Sequence, residues 1–222
     1  MPHDSDPRTL STVHRAFDVV EVLRRADGAR VHEVAEALDI APSTAHKHLA
    51  TLREELCVVK EGQSYHVGLG FLDIGSYVKY RKAGYRRCSQ KTAEIAAETG
   101  ERVQFVVEEH GLGIYVNVDA ADSSAVMTDR RDGVRRHLHA TAAGKAILAN
   151  LPADRVVAIA DRHGLPAETA ATTTDLATLQ RELTGIREAG IASNDAESVE
   201  GLRAVAVPIP RPHRAVLGAF SP

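Results

Sequence analysis

At 222 residues, with 44% hydrophobic and 26% charged positions, the chain has the composition of an ordinary folded protein and room for two modest domains or one large one. Aromatics are scarce at 4% and Trp is absent, so the cores must be built mainly from Val, Leu, Ile and Ala. No apolar run approaches the ~18 residues that cross a bilayer, the polar first ten residues lack the apolar centre of a secretion signal, and a formal charge of −3 gives no overall pull towards nucleic acid. A cytoplasmic location without membrane attachment is expected. Cys57 and Cys88 stand far apart and outside any metal-type spacing, so they read as two reduced thiols.

In chain order, Ser11 or Thr12 can cap a first helix with an apolar face of Val13, Phe17, Val20 and Leu23, stopped at Asp27-Gly28. A short helix over Val31–Leu38 follows. A third begins at Pro42, a residue suited to a first helical position, with the stripe Ala45, Leu49, Leu52, Leu56. Val58–Glu61 and Ser64–Val67 around Gly62-Gln63 read as a hairpin. Leu69, Leu72 and Tyr77 lead into a linker helix, and Lys79–Tyr85 into a junction. The pattern then becomes mixed: a helix over Lys91–Thr99, strands at Arg102–Val107, Ile114–Val118 and Ala125–Asp129, and helices at Ala142–Leu151, Asp154–His163 and Asp175–Ala189. A strand pair, Leu202–Ile209 and Ala215–Phe220, flanks Pro210-Arg211-Pro212-His213. The expected fold class is α+β, with a winged helix-turn-helix domain and its linker helix in residues 1–83 and an α/β effector-binding domain in 84–222.

Val31 to Leu49 has helix-turn-helix spacing. Ala35 is small where two helices must touch, and Val34, Leu38, Ile40 and Ala45 seal the corner. The third helix leaves Ser43, Thr44, His46 and Lys47 off its apolar stripe, as short or cationic groups suited to phosphates and base edges in a major groove. Lys60, Gln63 and Ser64 on the wing are placed to reach phosphates or a minor groove. Asp39 occupies the turn, where a left-handed conformation is needed, and His48 is expected to be a half-buried neighbour of the core. Residues 1–83 hold 11 Lys+Arg against 12 Asp+Glu. Binding duplex DNA therefore requires a locally basic surface or a dimer that sums two footprints.

Across about nine tenths of its length the chain resembles the IclR family of transcriptional regulators. The resemblance rests on Ser11–Ala16, on Ser43–Leu52, and on Tyr65-His66-Val67-Gly68 closing the wing. It continues in Glu98-Thr99-Gly100-Glu101, Leu138–Ala146 and Gly201–Pro208. It implies a winged-helix homodimer, often paired into a homotetramer, on a palindromic operator. It also implies a GAF-like effector domain responding to a small organic acid or aromatic compound. Members usually continue into a further helix beyond a strand like Ala215–Phe220, so the chain is expected to be either truncated or an unusual short form.

Thr141 is a candidate cap for the helix at Ala142, and the small first turn Ala142-Ala143-Gly144 leaves backbone N–H groups that attract an anion. Asn194, Asp195 and Ser221 are candidate polar contacts, and Met127, Leu138, Leu202 and Ala204 a candidate apolar wall. The family resemblance places Ala142, Ala143, Asn194, Ala204 and Ser221 at pocket positions. No Ser/His/Asp or Cys/His set suggests catalysis. His137-x-His139 has no partner in metal spacing, so no catalytic residue, metal or cofactor is expected. Arg130-Arg131 and Arg135-Arg136 read as a solvated or interface loop. Two alternatives stay open: a metabolite-converting enzyme whose head is a tether, and a winged helix that binds protein.

Overall fold

In the computed structural model, residues 8–120, 131–211 and 214–222 are described, with backbone alone at 214 and 215. The expected strand Ala125–Asp129, including Met127, lies outside them. The chain forms two compact units, one running to Val78 and the other from Lys79.

The first unit comprises α1 (Ser11–Ala26), α2 (Val31–Ala37), α3 (Pro42–Glu54), the hairpin β1 (Val58–Glu61) and β2 (Ser64–Val67), and most of α4 (Gly70–Tyr80). Its core is Val19, Leu23, Ala29, Val34, Ala35, Ala45, Leu49, Val58 and Tyr65. Helix α1 starts after Leu10 without a side-chain cap and ends at Asp27 in the left-handed conformation. It carries two overlapping apolar stripes. Packing against α2, α3 and β2 selects the one through Val19 and Leu23, leaving Val13 and Phe17 49% and 63% exposed. Leu56, expected on the stripe of α3, lies past its end with a φ of 59° and is exposed. Asp39 takes the left-handed turn conformation, and Ile40 N donates to Ala35 O across the corner. The wing pairs Val58 with Val67 through Glu61 with Ser64, and Ala29 and Tyr65 exchange backbone bonds alongside it.

The second unit opens with α5 (Ala83–Thr99), longer than the sequence pattern suggests because the apparent junction at Lys79–Tyr85 is the end of one helix and the start of the next. Its six-stranded sheet runs β5-β4-β3-β8-β7-β6, every pair antiparallel. The strands are β3 (Arg102–Glu109), β4 (Leu112–Ala120), β5 (Arg135–His137), β6 (Ala192–Asp195), β7 (Arg203–Arg211) and β8 (Arg214–Ser221). Helices α6 (Ala142–Ala149), α7 (Ala153–His163) and α8 (Leu176–Ala189) complete it. The short strands β5 and β6 show too few residues for an alternating pattern to register.

Helix α6 lies on one face of the sheet, with Val106, Ala146, Ile147, Leu148, Leu183, Ala206 and Ala219 in the shared core. Helix α5 covers β3 and β4 from the other face, where Cys88, Phe105 and Val107 pack with Tyr85 and Phe220. Strand β3 is thus enclosed from both sides, which is why Arg102 to Val107 are all buried. The two polar side chains that alternate along it, Arg102 and Gln104, are carried into the interior and held beneath α6.

Candidate functional site

In the first unit, α3 turns Ala45 and Leu49 into the core and leaves Ser43, His46 and Lys47 exposed, with Thr44 half-buried one turn away. His48 is half-buried. On the wing Lys60 and Gln63 are exposed and Ser64 partly so, and Lys60 Nζ stands 5.5 Å from the centre of the Tyr65 ring. Arg15 Nη1 donates to Leu38 O, tying α1 to the end of α2. The polar side of α3 therefore stays clear of its own unit because the apolar positions alone anchor the helix.

In the second unit a cleft enclosing about 550 Å³, part of it open to solvent, lies at the N-terminal end of α6. Of the expected residues, Thr141, Ala142, Ala143, Asn194, Leu202, Ala204 and Ser221 line it. Thr141 caps α6, its Oγ1 accepting from Gly144 N. The Ala142 and Ala143 N–H groups begin the helix, where no intrahelical acceptor exists.

Three expected residues sit elsewhere. Gly144 is turned against Leu138: a Cβ there would come within 2.1 Å of Leu138 O. The glycine serves the close approach of helix and preceding turn, not the cleft. Leu138 is buried in the core. Asp195, next to Asn194 on β6, points to the opposite side of the strand and pairs with Arg203 at the surface.

The structure adds groups not singled out from the sequence: Arg102 and Gln104 on β3, Tyr115 on β4, Val134 and Arg136 before and within β5, and Ser198 and Val199 after β6. Arg136 therefore belongs to a cleft wall, although its sequence setting suggested only a solvated loop. Among the described lining residues two are guanidinium groups and none is a carboxylate. Burial pushes the Tyr115 phenol above its ordinary range, while Arg102, Arg136 and Thr141 act in the other direction. The sequence signal available was the pair Arg102 and Gln104, polar residues in alternation on an otherwise apolar strand.

One wall is held by a buried ion cluster. Lys145 of α6 is fully buried, and its Nζ lies 2.5 Å from Glu182 Oε1 and 2.7 Å from Glu197 Oε1. Glu197 N donates to Asn194 Oδ1, and Asn194 Nδ2 donates to Ala140 O. The Glu197 carbonyl accepts from Thr172 Oγ1. Asn194 is consequently committed to protein partners and shapes the cleft more than it offers hydrogen bonds into it. His139, buried beside Pro166 O, is held below the usual histidine range by that burial. The His137 and His139 rings meet edge-on. Among the described residues, no set of three His, Cys, Asp or Glu side chains is placed to hold a metal ion, and no helix is long and apolar enough to cross a membrane.

A winged helix-turn-helix joined in one chain to an α/β domain with a cleft at a helix N-terminus is the architecture of a ligand-responsive transcription regulator. Comparison with known proteins agrees. Residues 12–62 match the IclR helix-turn-helix domain, and residues 85–221 match the bacterial transcriptional regulator IclR C-terminal domain. The chain belongs to the IclR family, with an N-terminal DNA-binding domain and a C-terminal effector-binding domain. It is 28% identical over 223 residues to the probable HTH-type transcriptional regulator ArcR of Halobacterium salinarum, covering 99% of this chain and 84% of that one. The solved IclR of Thermotoga maritima is 26% identical, with a TM-score of 0.78 over 96% of this chain and 87% of that one. An IclR homologue from Microbacterium hydrocarbonoxydans, solved with 4-hydroxybenzoate, shares the fold at 20% identity, with a TM-score of 0.79 over 96% and 88% of the respective chains.

Proposed function

We propose that this regulator controls metabolic genes in the cytoplasm as a homodimer on a palindromic operator, and that a small organic acid in the cleft shifts its affinity for DNA. Ser43, Thr44, His46 and Lys47 face the major groove in this reading, while Lys60, Gln63 and Ser64 of the wing meet the backbone. The observation that carries the ligand class is the cleft wall: two guanidinium groups and the first N–H groups of α6, with no described carboxylate among them. The second unit is GAF-like in this reading and binds its effector without turning it over.

Exposed apolar groups on the first unit support self-association. Leu10, Val13 and Phe17 at the start of α1 are uncovered, and α4 buries none of its residues although it carries Leu72, Ile74 and Tyr77. A patch of this kind on a folded monomer is suited to a partner surface. Pairing two near-neutral heads also sums two weak phosphate footprints.

The test is retention of the gene's own upstream DNA by the purified chain, with and without candidate acids, across a salt series. Lys47→Ala is expected to weaken binding and to reduce the salt slope by about one. A wild-type chain that ignores that DNA at low salt, or a Lys47→Ala chain with an unchanged salt slope, overturns the assignment of this face.

A further inference from the structure

We infer that the effector is a hydroxylated organic acid, and that Gln104 is the residue that reads its hydroxyl group. This rests on the reading of the cleft as an anion site and adds a second requirement to it. Gln104 lies on β3 between Val118 of β4 and Ser221 of β8, directed to the α6 side of the sheet, and is only 9% exposed. A primary amide offers two donors and one carbonyl acceptor. Its Oε1 is buried and has no hydrogen-bond partner among the described residues. Buried polar groups of native proteins are nearly always paired, and those that are not usually mark a site completed by something else.

The neighbouring hydroxyls are engaged elsewhere. Thr141 Oγ1 accepts from Gly144 N, and Ser221 Oγ donates to the Pro222 carbonyl. No described residue of the cleft wall supplies the missing donor to Gln104. A buried acceptor left without a donor carries a cost that a ligand donor brought within its reach removes and a ligand without a donor does not. A ligand hydroxyl meets the requirement. It also does so if the amide is turned over, because a hydroxyl both donates and accepts. The acid end of such a ligand is drawn to the guanidinium groups and the start of α6, and Val134, Leu202 and Ala204 face its carbon frame.

The experiment is calorimetric titration of the full chain with matched pairs of acids: 4-hydroxybenzoate and benzoate, malate and succinate, 3-hydroxybutyrate and butyrate. The hydroxylated member of any pair that binds is expected to bind roughly tenfold to hundredfold tighter than its partner. In Gln104→Met, a substitution of similar size, that preference collapses while affinity for the member lacking the hydroxyl holds or rises. Equal affinity within each binding pair of the wild-type chain overturns the role of Gln104 and leaves the anion reading standing. If no acid of either kind binds at millimolar concentration, both fall. A hydroxyl preference that persists in Gln104→Met, or in Gln104→Leu where the Met variant fails to fold, likewise overturns the role of Gln104.

Discussion

The two proposed recognition surfaces of the chain are built by opposite strategies. The side of the first unit proposed to face DNA comes from one continuous stretch, Pro42 to Val67, where α3 and the wing keep their polar side chains outside a small apolar core. The proposed effector cleft draws on β3, β4, β5, α6, β6 and the segment after it, β7 and the end of β8, from Arg102 to Ser221. A surface hung on the outside of a core can change without disturbing the fold. A cleft assembled inside a sheet shares its residues with the packing, so altering it puts stability at stake.

That contrast breaks most readily at Lys145. Lys145→Met leaves Glu182 and Glu197 facing each other without their cation, and removing one partner of a buried ion group costs about 3–5 kcal/mol. Calorimetry is expected to show the transition of the effector unit moving strongly down, while Lys47→Ala in the reading head leaves both transitions in place. If the two variants melted alike, the division between an inward-built and an outward-built site would fail.

Gly144→Ala has a smaller expected effect. The added Cβ meets backbone atoms of Leu138, which cannot step aside as a flexible side chain would, so a loss on the order of 1–3 kcal/mol is expected. Gly62 at the tip of the wing also has a positive φ, but a Cβ there meets nothing within 4 Å, so Gly62→Ala should bring only backbone strain. Denaturant midpoints of the two variants measure the difference directly.

The smallest effect concerns pH. Burial holds the His139 pKa below its ordinary 6.5, so the unfolded chain takes up this proton first as the pH falls. The stability that neutral His139 allows is present above about pH 6.5 and is lost as the pH falls from there towards the lowered folded value. His139→Gln is expected to flatten that part of the stability curve relative to wild type. An unchanged slope would show that His139 is not the group responsible.

The reading head was largely legible in the sequence because its signals are local. Pro42 opens α3, the spacing of Ala45 and Leu49 fixes its buried side, and Gly62-Gln63 sets the hairpin. The error at Val13 and Phe17 arose because α1 carries two apolar stripes, and only its neighbours choose between them. In the effector unit the capping of α6 by Thr141 was equally local and equally readable. Gly144 and Asp195 were not, since a small residue in a first turn suits a ligand and a close helix contact alike, and a residue beside Asn194 on a strand faces the other way.

The sequence by itself determined the helices and hairpin of the first unit, the long strands β3, β4, β7 and β8, the face of α3 turned outward and the cap of α6, because each follows from residues within a turn or two of one another. Only the tertiary structure decided that Arg102, Gln104, Tyr115 and Arg136 share one cleft with the start of α6, and that Lys145 is wedged between two carboxylates. Those encounters depend on sheet register and on which helix crosses which strand. Both are settled by the best joint burial of distant segments, which no short stretch of the chain encodes.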